Sequence, residues 1–232
     1  MPEHLQIIDV IIPAFNEEDS ISKVINDIPK GLVRNILVCN NASTDNTKVN
    51  AESAGAIVLD QPEIGYGNAC LKGMEFLALS EVKPDIVVFL DGDYSDHPEQ
   101  MPELVKPIIN ENYDLVIGSR ALGAMEKGAM MPQQVFGNWL ATTLIKLIYK
   151  VEFTDLGPFR AIKYDQLKKI NMQDKDFGWT VEMQVKAAKY GLRSVEVPMR
   201  YRKRIGISKV SGTIKGTILA GHKILWTIFK LM

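Results

Sequence analysis

The sequence predicts an α/β fold, with a mostly parallel central sheet and helices on both faces. Three observations carry the prediction. Apolar runs of strand length alternate with helix-length segments through the first half of the chain. The run at residues 86–90, Ile-Val-Val-Phe-Leu, is apolar throughout, as a strand buried on both faces is. The length of 232 residues, at 46% hydrophobic and 24% charged, suits one such domain with ample core.

In order, residues 7–13 form the first strand, and Asn16 is placed to cap the next helix. In that helix Ile21, Val24, Ile25 and Ile28 recur at helical spacing and give one apolar face. Residues 36–39 form the second strand. The polar turn over residues 40–47 leads into a helix that ends near Gly55, a residue suited to a helix C-terminus. Residues 56–59 are a third short strand. Gly65-Tyr66-Gly67-Asn68 opens a helix running to about Leu79. After the strand at 86–90, Pro98 begins a helix through about Ile109, and residues 115–117 form a fifth strand. Strands separated by helices in this way run parallel.

The second half changes character. Residues 121–134, rich in Gly and Met, read as a mobile loop. Residues 136–150 form a helix with Trp139, Leu140, Thr143, Leu144, Leu147 and Ile148 on one broad face. Gly157-Pro158 marks a turn, and residues 159–162 a short strand. Residues 180–190 form a helix closed by Gly191, and residues 194–197 a strand ended by Pro198. A basic loop over 200–209 precedes a last helix at 212–232. Without internal repeats or low-complexity linkers, residues 1–211 read as one domain. The helix at 212–232 either belongs to it or lies on a membrane surface.

The formal net charge of −1 conceals an asymmetry. From Val197 onward the chain carries eight cations and no acid; the remainder holds 19 cations and 28 acids. A basic end of this kind points to a phosphate-rich partner: a nucleotide, a lipid phosphate or a membrane surface, with no sign of nucleic-acid binding. The two cysteines, Cys39 and Cys70, have no metal-binding spacing and favour a reducing compartment. With no signal peptide or transmembrane run visible, the expected location is cytoplasmic, free or at the cytoplasmic face of a membrane.

Chemistry-bearing residues cluster where the predicted strands end. Asp91-Gly92-Asp93 directly follows the apolar strand, and ligands of open α/β sheets bind beyond the carboxyl ends of strands. Two carboxylates crowded there repel each other unless a cation lies between them. Oxygen donors suit Mg²⁺ or Mn²⁺, which could hold a nucleotide diphosphate; the same acids also serve as turn and cap residues. Pro13-Ala14-Phe15-Asn16-Glu17 ends the first strand, where backbone groups, Asn16 and Glu17 reach a base or ribose, or cap a helix. Asp45 contacts a base or favours its helix N-terminus. Gly65 and Gly67 let the backbone pass close to a ligand, but follow the third strand, which argues against a dinucleotide fingerprint. Arg120, in Gly118-Ser119-Arg120, neutralises a phosphate or makes a surface ion pair. Asp155 and Arg160 flank the Gly-Pro turn and pair with each other or with a ligand. Glu182 lies near a helix start, where its charge is favoured anyway, and Trp179 beside it floors a sugar pocket or packs in the core. Arg204, Gly206, Ser208 and Lys209 have the character of a loop that closes over a diphosphate.

Taken together, these segments resemble the family 2 glycosyltransferases of the GT-A fold, and within them the dolichyl-phosphate mannose or glucose synthase group of polyprenyl-phosphate glycosyltransferases. The likeness spans nearly the whole chain and rests on Val10–Glu17, Asn40–Asp45, Gly65-Tyr66-Gly67, Leu90–Tyr94, Gly118-Ser119-Arg120, Asp155–Arg160 and Arg204–Lys209. The resemblance implies a nucleoside-diphosphate sugar donor of the GDP-mannose or UDP-glucose type, held through Mg²⁺ or Mn²⁺ at Asp91 and Asp93. It implies that Pro13, Ala14, Asn16, Glu17 and Asp45 lie at the nucleotide, with Gly65, Gly67 and Gly92 close by. Arg120, Arg160, Arg204, Ser208 and Lys209 would meet donor or acceptor phosphates. Two positions depart from the family pattern. Asn40 stands where an acid is usual, and Ser95 and Asp96 stand where Gln or His often follows the acid pair; either of these two could complete a metal shell.

The reaction so implied is a single inverting displacement at the anomeric carbon. A lipid-phosphate acceptor is already ionised near neutral pH and needs its charge offset by Arg120 and Arg160. A hydroxyl acceptor instead needs a carboxylate to take its proton, with Glu182 or Asp155 as candidates. Two rival readings are a family 2 transferase for a soluble sugar, glycolipid or polysaccharide precursor, and a nucleotide-sugar-binding module without turnover. Intact Asp91, Asp93, Arg120 and Arg204 speak against the second.

Overall fold

The strand that carries the acid pair lies near the middle of the sheet, because each of its side chains is apolar and each is buried. The computed structural model describes residues 6–206 and 214–232. Its elements are β1 (Ile8–Ala14), α1 (Ile21–Asp27), β2 (Asn35–Asn40), α2 (Thr47–Ser53), β3 (Ile57–Asp60), α3 (Tyr66–Leu79), β4 (Ile86–Phe89), α4 (Met101–Glu111), β5 (Leu115–Ser119), α5 (Pro132–Tyr149), β6 (Arg160–Lys163), α6 (Tyr164–Ile170), α7 (Trp179–Lys189), β7 (Ser194–Pro198) and α8 (Ile214–Lys230). The seven strands form one sheet in the order β3-β2-β1-β4-β6-β5-β7. All neighbours are parallel except those of β6, which runs antiparallel between β4 and β5. Arg160 pairs in register with Phe89 of β4 and Ile117 of β5. The chain therefore enters β6 at the carboxyl edge of the parallel strands, and must run back down the sheet.

Alternation along the strands sends side chains to two cores. Val10, Ile12, Val88 and Leu90 pack with Ile21, Val24 and Ile25 of α1 and with Leu104 and Val105 of α4. Ile11, Val87 and Phe89 pack on the other face with α3, α5, α7 and Ile228 of α8. Each such side chain, fully buried, contributes about 1.5–3 kcal/mol. Gly73 lets α3 lie directly on β1: a Cβ there would meet Ile11 Cγ2 at 2.8 Å.

The first half follows the sequence reading to within a residue or two, with one correction. Asn16 does not cap α1; Ser20 holds that position, and the Asn16 side chain turns to the next loop. Pro98 opens a short 3₁₀ turn ahead of α4. In the second half, α5 begins at Pro132 rather than 136, its first turn closed by Gln134 Oε1 accepting from the Met131 N–H at 2.8 Å. Its buried side is Ala141, Thr142 and Ile145, whereas Trp139 and Leu147 of the expected apolar face are 59% and 61% exposed. The seven-residue α6 was not expected, being too short to show a helical period. The boundary between 211 and 212 lies outside the described residues. Among the described residues, no helix is long and apolar enough to cross a membrane.

Candidate active site

A cavity of about 520 Å³ opens at the carboxyl ends of β1 and β4, within the usual range of ligand pockets. Pro13, Ala14 and Glu17 line it from the end of β1, and Asp91, Gly92 and Asp93 from the end of β4. Arg120, just past β5, and Arg204 supply its cationic groups among the described residues. Its far wall comes from α5 and α8, through Gln133, Gly137, Asn138, Ala220, Gly221 and Ile224.

The acid pair is held from several directions. Tyr66 OH donates to Asp91 Oδ1 at 2.9 Å. Burial and the charge of Asp93 push the Asp91 carboxyl up to about 7, against the Tyr66 hydrogen bond and the charges of Arg204 and Arg120. Asp93 Oδ1 accepts from the backbone N–H and the hydroxyl of Ser95, at 2.9 and 2.5 Å. Its Oδ2 faces Arg204 Nη1 at 3.2 Å. The next residue, Tyr94, has a φ of 64°, a left-handed conformation rare outside glycine and frequent at functional turns. Ser95 thus orients Asp93. Asp96 lies behind, buried, its backbone bridged to Tyr201 and its Oδ2 without a hydrogen-bond partner among the described residues. Burial and the charges of Asp91 and Asp93 raise its carboxyl well above the usual range.

These donors fit a hard divalent cation. Two carboxylates stand close enough for one to disfavour ionisation of the other, and no third His, Cys, Asp or Glu among the described residues completes a cage. That is the donor set by which Mg²⁺ is commonly held, with one or two carboxylates and the rest from substrate phosphates and water.

Arg120 is fixed by Asp155, which accepts from its backbone N–H at 2.7 Å and from Nε and Nη2 at 2.8 and 2.6 Å. Burial opposes the guanidinium charge, but Asp155 outweighs it and the pKa rises. Tyr201 lies under the guanidinium, 5.1 Å from ring centroid to Cζ. Asp155 thus partners Arg120, not Arg160 as the turn suggested.

Several expected site residues do other work. Arg160 is fully buried away from the cavity lining and donates to the carbonyls of Leu156, Gly157 and Thr180. Burial lowers its pKa to about 10. Glu182 is also buried away from the lining; it accepts from the N–H groups of Gln173 and Asp174 and pairs with Lys186. Asn40 points away and donates to Asp60 Oδ1 at 3.0 Å, so Asp60 sets a carboxylate beside the position where the family usually has an acid. Asp45 accepts from Thr47 and from the Glu18 N–H, and Asn16 Oδ1 accepts from the Thr44 N–H at 2.8 Å. These bonds zip the loops after β1 and β2 together. Gly65 lines the cavity, while Gly67 is buried two residues further on. Ser208 and Lys209 lie outside the described residues.

Sequence reading missed Tyr66, although it stands between the two glycines already singled out. It also passed over Asn41, inside the Asn40–Asp45 segment, and missed Tyr201, Asp176 and Phe177, which line the cavity from loops without a motif. Asn41 carries the Gly65 turn: its Oδ1 accepts from the Gly65 N–H at 2.8 Å and its Nδ2 donates to Glu63 O at 2.7 Å.

With this geometry in hand, known proteins are informative. The family described as glycosyl transferase family 2 matches residues 9–171. An uncharacterised glycosyltransferase of Mycobacterium tuberculosis is 33% identical over 215 residues, 92% of this chain and 94% of that one. An undecaprenyl-phosphate mannosyltransferase of Micrococcus luteus is 29% identical over 221 residues, covering 89% of this chain and 88% of that one. Among solved structures, glucosyl-3-phosphoglycerate synthase from M. tuberculosis, in complex with Mn²⁺, UDP-glucose and phosphoglyceric acid, superimposes with a TM-score of 0.77. It is 21% identical and the match covers 97% of this chain and 79% of that one, a likeness of fold, here the GT-A fold. With the family matched over most of its length and relatives aligned nearly end to end, the chain belongs to glycosyl transferase family 2 and is a glycosyltransferase.

Proposed function

We propose that the chain transfers a hexose, with inversion, from a nucleoside-diphosphate sugar of the GDP-mannose or UDP-glucose type to a polyprenyl-phosphate-like lipid. Asp91 and Asp93 would hold Mg²⁺ or Mn²⁺, which supplies positive charge at the departing diphosphate. Pro13, Ala14 and Glu17 border the nucleotide side of the cavity. Arg204, on its wall, exchanges its carboxylate partners for donor phosphate as negative charge grows there. Arg120, kept protonated and oriented by Asp155, faces the acceptor phosphate. An ionised phosphate attacks without a general base, which agrees with Glu182 and Asp155 both being engaged in structural bonds.

The observation that carries the lipid acceptor is the far wall. The cavity runs from the acid pair to α5 and α8, whose outer surfaces expose Phe136, Trp139, Trp226 and Phe229. A lipid could place its phosphate at Arg120 with its chain against these helices. The M. luteus relative, named for undecaprenyl phosphate, supports the same acceptor class. The test offers GDP-mannose and UDP-glucose with Mn²⁺ to undecaprenyl phosphate in vesicles and, separately, to phosphoglycerate. Labelled sugar in the organic phase is expected. Transfer to phosphoglycerate alone would replace the lipid with a soluble acceptor, and no transfer from any donor would overturn the reading.

A further inference from the structure

Glu182, displaced from the catalytic role the sequence suggested, leads to another acid. The two N–H groups it accepts belong to Gln173 and Asp174, at the start of the loop before α7. Asp174 Oδ1 then accepts from the N–H groups of Asp176 and Gly178, at 2.8 and 3.1 Å. Its Oδ2 pairs with Lys223 of α8 at 2.9 Å. On the opposite side, the Asn68 N–H donates to Lys175 O at 3.0 Å. The loop lies so close to the start of α3 that a Cβ on Gly65 or Gly67 would fall 2.2 Å from Lys175 O or 2.0 Å from Asp174 O. Residues 173–178 are therefore clamped between α3, α7 and α8. What the clamp presents to the cavity is Asp176 and Phe177.

Among the described residues, the other carboxylates on the cavity wall are Glu17, Asp91 and Asp93. Glu17 and Asp93 meet Arg204, and Asp91 meets Tyr66. Asp176 makes no ion pair with a described residue within 4 Å; burial and the neighbouring Asp174 disfavour its charge, and outweigh the charge of Lys223 and the Phe177 N–H, which favour it. A half-buried carboxylate on a rigid wall is costly to keep unless a ligand uses it. Its ligand is not a phosphate, which it would repel. It suits neutral hydroxyl donors, two of which one carboxylate can accept at once. The wall that carries it adjoins the Gly65-Tyr66 turn, and Tyr66 touches Asp91. The group bonded to a diphosphate held at Asp91 is thus within reach of that wall. We propose that Asp176 binds hydroxyls of the donor hexose, with Phe177 against the ring's apolar face, and so helps to select the sugar. This rests on the nucleotide-sugar reading above.

The test is calorimetric titration, in Mn²⁺, of UDP-glucose, GDP-mannose, UDP and GDP into the wild-type chain and into Asp176→Asn and Asp176→Ala. Thermal unfolding confirms that each variant is folded. Losing charge-assisted hydrogen bonds should weaken the nucleotide sugar by about tenfold or more, and leave its nucleoside diphosphate within about twofold. Equal weakening of both would show that the loop was merely disturbed, and no weakening of either would remove Asp176 from the sugar; each overturns the proposal. If the wild-type chain binds none of the four, the donor reading itself falls, and this inference with it.

Discussion

Arg204 bridges two acids of the cavity wall, its Nη1 3.2 Å from Asp93 Oδ2 and its Nη2 2.9 Å from Glu17 Oε1. The segment bearing it is tied to the acid-pair loop: the Ile205 N–H donates to Asp93 O and the Arg202 N–H to Ser95 O, both at 2.9 Å. A divalent cation held at Asp91 and Asp93, as proposed, would compete with this guanidinium for the same carboxylate. Donor phosphate would then offer Arg204 a replacement.

Arg204→Ala should accordingly bind Mn²⁺ more tightly without donor, yet transfer sugar more slowly. A partly exposed ion pair contributes up to about 1 kcal/mol, so the gain in affinity should be about fivefold. Electron paramagnetic resonance of free Mn²⁺ measures it. An unchanged affinity would mean that Arg204 does not compete for Asp93.

Asp91 gives a pH dependence of definite sign. In the metal-free chain its carboxyl titrates at about 7, raised by burial and by Asp93, against about 3.8 in the unfolded chain. The folded state therefore takes up a proton that the unfolded state does not between these values. The metal-free protein should gain stability from Asp91 as pH falls from 8 toward 5, and lose it as pH rises through 7. Metal binding needs the ionised form, so Mn²⁺ affinity should fall over the same window. Melting midpoints in EDTA at pH 8 and 5.5 test this against Asp91→Asn, which should lack the Asp91 contribution to the change.

Asp155 is buried and Arg120 largely so, and removing one partner strands the other's charge. Such losses cost about 3–5 kcal/mol. Asp155→Ala should lower stability by about 3 kcal/mol in urea unfolding, and transfer should fall because Arg120 is no longer oriented. Asp155→Asn should retain part of the stability through its remaining hydrogen bonds. A double variant with Arg120→Met should be less destabilised than the two single losses added together, since no charge is then left unpaired.

Arg160 looks in sequence like a phosphate ligand and in the fold is a brace. It gives donors to three carbonyls, at Leu156, Gly157 and Thr180. Arg160→Met should destabilise by about 3 kcal/mol, since each buried acceptor left unmade costs about 1–3 kcal/mol. In whatever folded fraction remains, nucleotide affinity should stay near wild type. A selective loss of donor binding in a stable variant would return Arg160 to the site.

Arg160 and Glu182 also show where sequence reading stopped. Asp91, Asp93, Glu17 and Arg120 were legible because strand ends are legible: an apolar run stops, and the next polar side chains fall at the sheet edge. Arg160 begins a strand that runs the other way, and nothing in Arg-Ala-Ile-Lys encodes direction. Its place at the sheet edge is that of a ligand residue, but alternation along β6 sends its side chain into the α7 face, where the carbonyls of Leu156, Gly157 and Thr180 hold it. Glu182 lies one helical turn below the loop it holds, a contact set by tertiary packing. Tyr66, Tyr201 and Asp176 reach the cavity from segments whose path depends on those contacts. The outer face of α5 misled for a related reason: its apolar residues span more of the helix than the core can cover, so periodicity alone did not say which side is buried.

That uncovered face carries the last prediction. Phe136 and Trp139 pack with tilted rings, 5.8 Å between centroids, on the surface of α5, and Trp226 and Phe229 are exposed on α8. Adjacent residues of the same helices, Gly137 and Asn138, Ala220 and Gly221, line the cavity. Exposed aromatic groups on the outer side of helices that wall a cavity suit an interface with lipid headgroups and chain ends. Lys223 pairs with Asp174, so burial of apolar area should contribute more to such contact than that lysine's charge. Replacing all four aromatic residues by serine should reduce flotation with vesicles by about tenfold or more, since each side chain withdrawn from an apolar setting loses on the order of 1 kcal/mol or more. It should raise the KM for an acceptor presented in vesicles while leaving the KM for a short, water-soluble polyprenyl-phosphate analogue near wild type. Equal losses with both acceptors would assign these side chains to the fold, and unchanged flotation would remove the membrane contact.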